Sequence, residues 1–283
     1  AVDGTTATLS WSDVSDDDIS YFVVECKQSD GVWKSVSRTS TNLGVNLSGL
    51  TPEHDYVYRV IGYDKRSNRG TPSEEITVTT LKDTICPKVT KITPDPGYFK
   101  SEINLRFTAE DDYRVKSIEI QTSTDKESWK TVSEIKATGE SAKCTFDCKL
   151  DLKNYEEGSV FVRAKVYDSY GNVTEDKDLT CYEYVVDRTA PIQPTGVTAS
   201  SGETEGGSSF VNISWNAITD DNSFAYYRVY KSNSADGEFT LLKNNVKTVN
   251  TYDENVDFSA TYYYKVEAVD LAGNVGKQSG VVS

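Results

Sequence analysis

Methionine is absent from the 283-residue sequence, histidine occurs once, and lysine plus arginine (30) fall well short of aspartate plus glutamate (44). Each shortage removes a class of function. A lone His54 leaves no histidine cluster for zinc and no second imidazole for a proton relay. The patterns G-x-S-x-G, G-x-x-x-x-G-K-[ST] and C-x-x-C are missing as well, which lowers the expectation of an enzyme. A formal charge of −14 argues against nucleic acid, because neutralising phosphates needs a basic face. The same surplus favours a soluble monomer and offers oxygen donors to divalent cations. No apolar run reaches the length of a membrane-spanning helix, and no signal peptide stands at the start.

What is abundant is tyrosine, 18 residues against 9 phenylalanines and 4 tryptophans, in a background rich in Thr, Ser and Asp. That profile favours strands and turns over helices. A repeat then appears. Asp, two variable residues, a small residue and Asn occur at Asp64–Asn68, Asp168–Asn172 and Asp270–Asn274, about a hundred residues apart. Each copy follows a run that alternates strictly: Tyr56, Tyr58, Val60 and Gly62; Val160, Val162, Ala164 and Val166; Tyr262, Tyr264, Val266 and Ala268. Period-two alternation over eight residues describes a half-buried strand.

Upstream, three more alternating strands end on a large aromatic, "ATLSW" on Trp11, "INLRF" on Phe107 and "VNISW" on Trp215. Acidic loops follow them, "SDDD", "EDDY" and "TDDN", and after a further strand and turn come Trp33, Trp129 and Phe239. Turn signals every eight to twelve residues, with no helical period, predict three β-sandwiches in a row. The expected units are 1–82, with most of its first strand missing, then 83–187 and 188–283. The junctions repeat too, "DTICP" at 83–87 and "DRTAP" at 187–191. Their prolines fix φ and remove a donor, so the hinges are expected to be stiff and the array elongated. Both ends read as cuts through a longer array, so a missing signal peptide carries no weight for localisation.

The segment "LTPEHDYVYRV", Leu50 to Val60, resembles the tyrosine-corner region of a fibronectin type III domain. In that resemblance Tyr56 is the corner residue, its hydroxyl bonded to upstream backbone. "VDFSATYYYKVEAVDLAGN" is similar to the same region in bacterial copies, with Tyr262 in the role, and "VDRTAPIQPTGVTA" resembles linkers between such modules. The middle unit departs from the pattern. Val160 stands at the corner position, Phe107 replaces the tryptophan, and "EIKATGESAKCTFDCKLDL" is longer. It resembles a bacterial immunoglobulin-like sandwich.

Two readings of the acidic repeat stay open. In the first, the Asp accepts backbone N–H bonds within its turn while Gly and Asn accommodate positive φ. In the second, the loops at the entry end gather carboxylates for calcium: Asp83 with Asp111, Asp112 and Asp168 at one junction, and Asp187 with Asp220, Asp221 and Asp270 at the other. Apart from calcium, no cofactor is expected. All four tryptophans occupy positions matched by Trp or Phe in the other units and read as packing residues; Phe239 is grouped with them. Tyr98, Tyr113, Tyr155, Tyr170 and Tyr226 lie outside the shared core pattern. Cys26 alternates with Phe22 and Val24, and Cys144 and Cys148 share a face with Phe146 and Leu150, as small core residues do. Cys144 and Cys148 stand roughly 13 Å apart along one strand at about 3.3 Å per residue, too far for a disulfide. A cross-sheet link from either to Cys181 stays open.

The resemblance implies a non-catalytic segment of a secreted or surface-anchored bacterial protein, a spacer whose partners are flanking domains of its own chain. Two alternatives stand beside it. An adhesin or carbohydrate-binding module needs exposed aromatics on one face, and an accessory module would shape the cleft of an adjoining glycan-active enzyme.

Overall fold

The computed structural model describes residues 2–12, 17–40, 42–219, 221–254, 256–257 and 259–283. The chain is all-β, built of immunoglobulin-like sandwiches, with one 3₁₀ turn at Asp176–Asp178.

The first stretch forms β1 (Thr6–Ser10), β2 (Ile19–Lys27), β3 (Trp33–Thr39), β4 (Gly44–Ser48), β5 (Asp55–Asp64) and β6 (Ile76–Thr79). β1 pairs antiparallel with β4, and a second sheet runs β3-β2-β5-β6. Ala7, Leu9, Val24, Cys26, Tyr58 and Val78 fill the space between them. Alternation along β1 and β2 produces this, since every second side chain faces the partner sheet.

The middle stretch forms β7 (Lys88–Thr93), β8 (Tyr98–Phe99), β9 (Glu102–Ser123), β10 (Lys130–Asp151), β11 (Gly158–Asp168) and β12 (Tyr182–Val186). Here the two longest strands replace separate sheets. The first half of β9 pairs with β7 and the end of β10; its second half pairs with β11 and the start of β10. Register shifts between Lys136 and Lys143 bend the pair over, so one continuous ladder supplies both layers. Phe107, Ile120, Val160, Val162, Val166 and Tyr184 close the core. The long segment 134–152 forms most of β10. "EDDY", expected as a loop, instead lies within β9. The bend is made by the irregular register around it and by Asp111 Oδ2, which accepts N–H bonds from Tyr113 (3.2 Å) and Arg114 (3.0 Å).

The last stretch forms β13 (Thr198–Glu203), β14 (Ser209–Ser214), β15 (Phe224–Ser232), β16 (Thr240–Val246), β17 (Asn250–Glu254) and β18 (Tyr263–Asp270), arranged as β13-β14-β17 over β16-β15-β18. Ile213, Trp215, Tyr227, Val229, Tyr264 and Val266 lie between the layers.

The aromatic residues divide in a way that the repeat did not announce. Phe107 and Trp215 are buried, and half-buried Trp11 packs on the first core, edge-on to Phe22 at 5.5 Å. Trp33, Trp129 and Phe239 are not core residues, which corrects their reading as interior packing. Each is half-buried beneath a cation: Arg59 over Trp33 at 4.0 Å, Arg163 over Trp129 at 4.0 Å and Lys265 over Phe239 at 4.2 Å. All five cysteines are free thiols, so the link from Cys144 or Cys148 to Cys181 is absent; Cys181 is exposed and Cys148 is buried.

Candidate functional site

Each Asp-x-x-[GS]-Asn turn closes on its own Asp carboxylate, which accepts from both the backbone and the side chain of the Asn. Asp168 Oδ1 accepts from the backbone N–H groups of Tyr170 and Asn172, both at 2.8 Å, and Oδ2 from the Asn172 amide at 2.6 Å. Asp64 binds Arg66, Asn68 and the Asn68 amide in the same way. Asp270 accepts from the Asn274 backbone (2.7 Å) and amide (2.8 Å). The positive φ falls on Ser67, Gly171 and Gly273, and Asn is not among the positive-φ residues of these turns.

These turns also reach the junctions. The Asn172 amide donates to the Asp83 carbonyl at 3.2 Å, and the Asn274 amide to the Asp187 carbonyl at 3.0 Å. Thr174 Oγ1 adds a buried bond to the Pro87 carbonyl at 2.8 Å. At the second junction, Arg188 donates back to the Leu152 and Tyr155 carbonyls, and Gly276 lets the Pro191 carbonyl approach so closely that a Cβ would stand 2.5 Å from it. Each linker is thus bonded to the stretch that follows it, and the second is bonded to the stretch before it as well.

Tyr113 and Tyr170, which lie outside the shared core pattern, complete the first joint. The Tyr113 hydroxyl donates to Thr51 Oγ1 and the Tyr170 hydroxyl to the Pro52 carbonyl, both at 3.2 Å, with ring centroids 5.7 Å apart. Thr5 Oγ1 donates to Asp112 Oδ2 at 2.8 Å. Tyr113 ends the "EDDY" stretch and Tyr170 lies inside a repeated turn, but nothing in either pattern pointed to a hydroxyl contact across the joint.

Within the first joint, Asp83, Asp111 and Asp168 each present a carboxylate oxygen, and the three atoms lie within 4.8 Å of one another. Asp83 and Asp168 are each 1% exposed. Asp83 Oδ1 accepts from the Ile85 N–H at 2.9 Å, but Asp83 Oδ2 and Asp111 Oδ1 are buried without any hydrogen-bond donor among the described residues. Burial pushes the Asp111 carboxyl up to about 6, partly offset by its bond from Tyr113 and reinforced by the charges of Asp112, Asp83 and Asp168. Asp83 is raised for the same first reason, with Asp112 and Asp168 adding to it. Arg114, three residues after Asp111, is paired with Glu140 at 2.8 Å.

At the second joint, Asp270 is buried and Asp221 Oδ2 lacks a donor, while Asp187 Oδ1 accepts from Thr189 at 3.1 Å. Among the described residues, these do not form a comparable group of three ligand atoms. Asp220 lies outside the described residues.

Both proposed corner tyrosines have hydroxyls directed at backbone. Tyr56 accepts from the Thr51 N–H at 2.8 Å and Tyr262 from the Asp257 N–H at 3.4 Å. His54 is exposed, edge-on to Tyr56 at 4.8 Å.

Comparison with known proteins places these features. The family profile "Fibronectin type III domain" matches residues 1–79. Over its whole length the chain is 27% identical to Exoglucanase B of Cellulomonas fimi, of which it covers 24%. It is 32% identical over 97 residues to Chitinase Chi52 of Paenibacillus xylanexedens, an alignment taking in 34% of this chain and 16% of the chitinase. The chain therefore spans a quarter or less of these curated relatives. Among solved structures, the FN1–FN3 domains of chicken CNTN1 align at TM-score 0.48 and 17% identity, covering 99% of this chain and 94% of theirs. Titin domains A168–A170 align at 0.48 and 13%, covering 100% and 93%. The fibronectin(III)-like modules of Clostridium thermocellum CbhA align at 0.26 and 16%, covering 65% and 87%.

Proposed function

With residues 1–79 matching the fibronectin type III profile, we propose that the chain is a non-catalytic, extracellular spacer within a larger bacterial glycan-active enzyme. It holds the parts on either side of it at a set separation, and it consists of three units with boundaries at 82/83 and 187/188. The supporting observation is that both linkers are pinned by the following unit, through Asn172 and Thr174 at one joint and Asn274 at the other. A linker with its carbonyls bonded to a folded unit cannot sample the range of a free coil, so its neighbours keep a fixed distance. Similarity over the full length to a segment of an exoglucanase is consistent with this place in a longer chain. Solution scattering tests it. A compact 283-residue protein would have a radius of gyration near ~19 Å, whereas three units in series give a value well above that. A value near the compact figure would sink the spacer.

One surface favours a second reading. On the outer face of the β13-β14-β17 sheet, Tyr252 is 46% exposed and meets the Phe210 ring at 5.4 Å, edge to face. An exposed ring of this kind can stack on a sugar. Retention of the chain on insoluble cellulose or chitin, abolished by Tyr252→Ala, would establish a glycan-binding module instead; passage through both matrices supports the spacer.

A further inference from the structure

We propose that the first joint is a calcium site, in which Asp83, Asp111 and Asp168 coordinate one ion that fixes the linker to the middle unit. Such a site would hold the linker whether or not the chain acts as a spacer. Three carboxylates from separate parts of the chain meet there: Asp83 from the linker, Asp111 from the bend in β9, Asp168 from the end of β11. Gathering three negative groups in a largely dry space is unfavourable unless something positive joins them. Among the described residues, no Lys or Arg forms an ion pair with any of the three.

The hydrogen bonding indicates where that charge belongs. Each carboxylate is used by its own turn, through Ile85, through Tyr113 and Arg114, or through Tyr170 and Asn172. Those bonds fix the orientation of the groups. They leave Asp83 Oδ2, on a residue only 1% exposed, and Asp111 Oδ1 buried with no donor. A buried oxygen held in place and left unpaired is costly unless it has a partner of another kind. Oriented carboxylate oxygens within 4.8 Å of one another match an ion that bonds hard oxygen at 2.3–2.6 Å, since opposite ligands then lie about 4.6–5.2 Å apart. Magnesium at about 2.0–2.1 Å would need a tighter cluster and keeps more of its water. Asp112, exposed and bonded to Thr5, stands next to the site and links it to the first unit.

Because the ion would join Asp83 to the middle unit, the joint should be stiffer and the fold more stable with calcium than without. The test is calorimetry on the whole chain in EDTA and in about 5 mM calcium chloride, with Asp83→Asn and Asp111→Asn beside the wild type. Both variants keep an oxygen for the turn bonds. The wild type is expected to gain about 5 °C or more in the transition of the middle unit, for an affinity like that of other extracellular sites. Both variants should lose that gain, and in EDTA they should melt at or above the wild type, because a buried charge is gone. Superimposable wild-type curves, or a full gain retained by both variants, would overturn the site. Equilibrium dialysis of the wild type against calcium is expected to find one ion per chain that magnesium does not displace at equal concentration. No ion held, or displacement by magnesium, counts against the proposal whatever the variants do.

Discussion

Ser67 holds φ +65° in a turn whose counterparts place Gly171 and Gly273 at +92° and +81°. An L-residue in that region carries a cost of about 1 kcal/mol that glycine avoids. After glycine's larger unfolded-state entropy is set against it, Ser67→Gly should stabilise the first unit by about 0.5 kcal/mol. Urea denaturation measures this; a lower midpoint would mean that the serine side chain supports the turn. Gly276 makes the opposite case. A Cβ there would meet the Pro191 carbonyl at 2.5 Å, and backbone cannot move aside as a side chain can. Gly276→Ala is expected to cost about 1–3 kcal/mol, on the scale of overpacking, and to lower the melting temperature of the last unit. An unchanged melting curve would show that the linker yields freely.

At the scale of elements, the shared device is a cation on β5, β11 or β18 lying over an aromatic at or just before the start of β3, β10 or β16. Arg59, Arg163 and Lys265 each stand three residues after Tyr56, Val160 and Tyr262, and each covers Trp33, Trp129 or Phe239. Arg163 is further held by Gln121 at 2.8 Å. Arg163→Ala should cost about 1 kcal/mol through the lost cation–π contact and cover, with Trp129 fluorescence shifting to longer wavelength. An unshifted spectrum would contradict the clamp. Alternation made the strands legible, because it reports that two faces differ. It does not report which face a flanking aromatic joins, and Trp33 therefore read as interior. The bend at Asp111 was equally hidden: its acidic residues resemble a loop, and only pairing along β9 and β10 keeps them in a strand. The carboxylate cluster was legible in its members, since the order of linker, first bend and repeated turn brings Asp83, Asp111 and Asp168 to one end. Its unpaired oxygens were not, because they depend on which N–H group each turn supplies.

For the whole molecule, the decisive feature is that three hydrophobic clusters share no buried residue among those described. Eighteen described buried residues form the middle cluster, against eight and seven in the outer two. Burial of apolar surface is the main favourable term in folding, so the middle unit should be the last to melt. The joints between units are polar, made of bonds such as Tyr170 to Pro52 and Asn274 to Asp187, and bonds of this sort contribute about 1 kcal/mol each. Such joints can fix an angle without merging three transitions into one. Calorimetry is therefore expected to resolve more than one transition. Phe107→Ala, which removes a side chain that is 0% exposed, should cost about 3–5 kcal/mol and lower only the highest transition, by more than about 10 °C. A single cooperative transition, or a uniform shift of every transition in that variant, would mean that the units fold as one body and that the joints carry far more energy than their hydrogen bonds suggest.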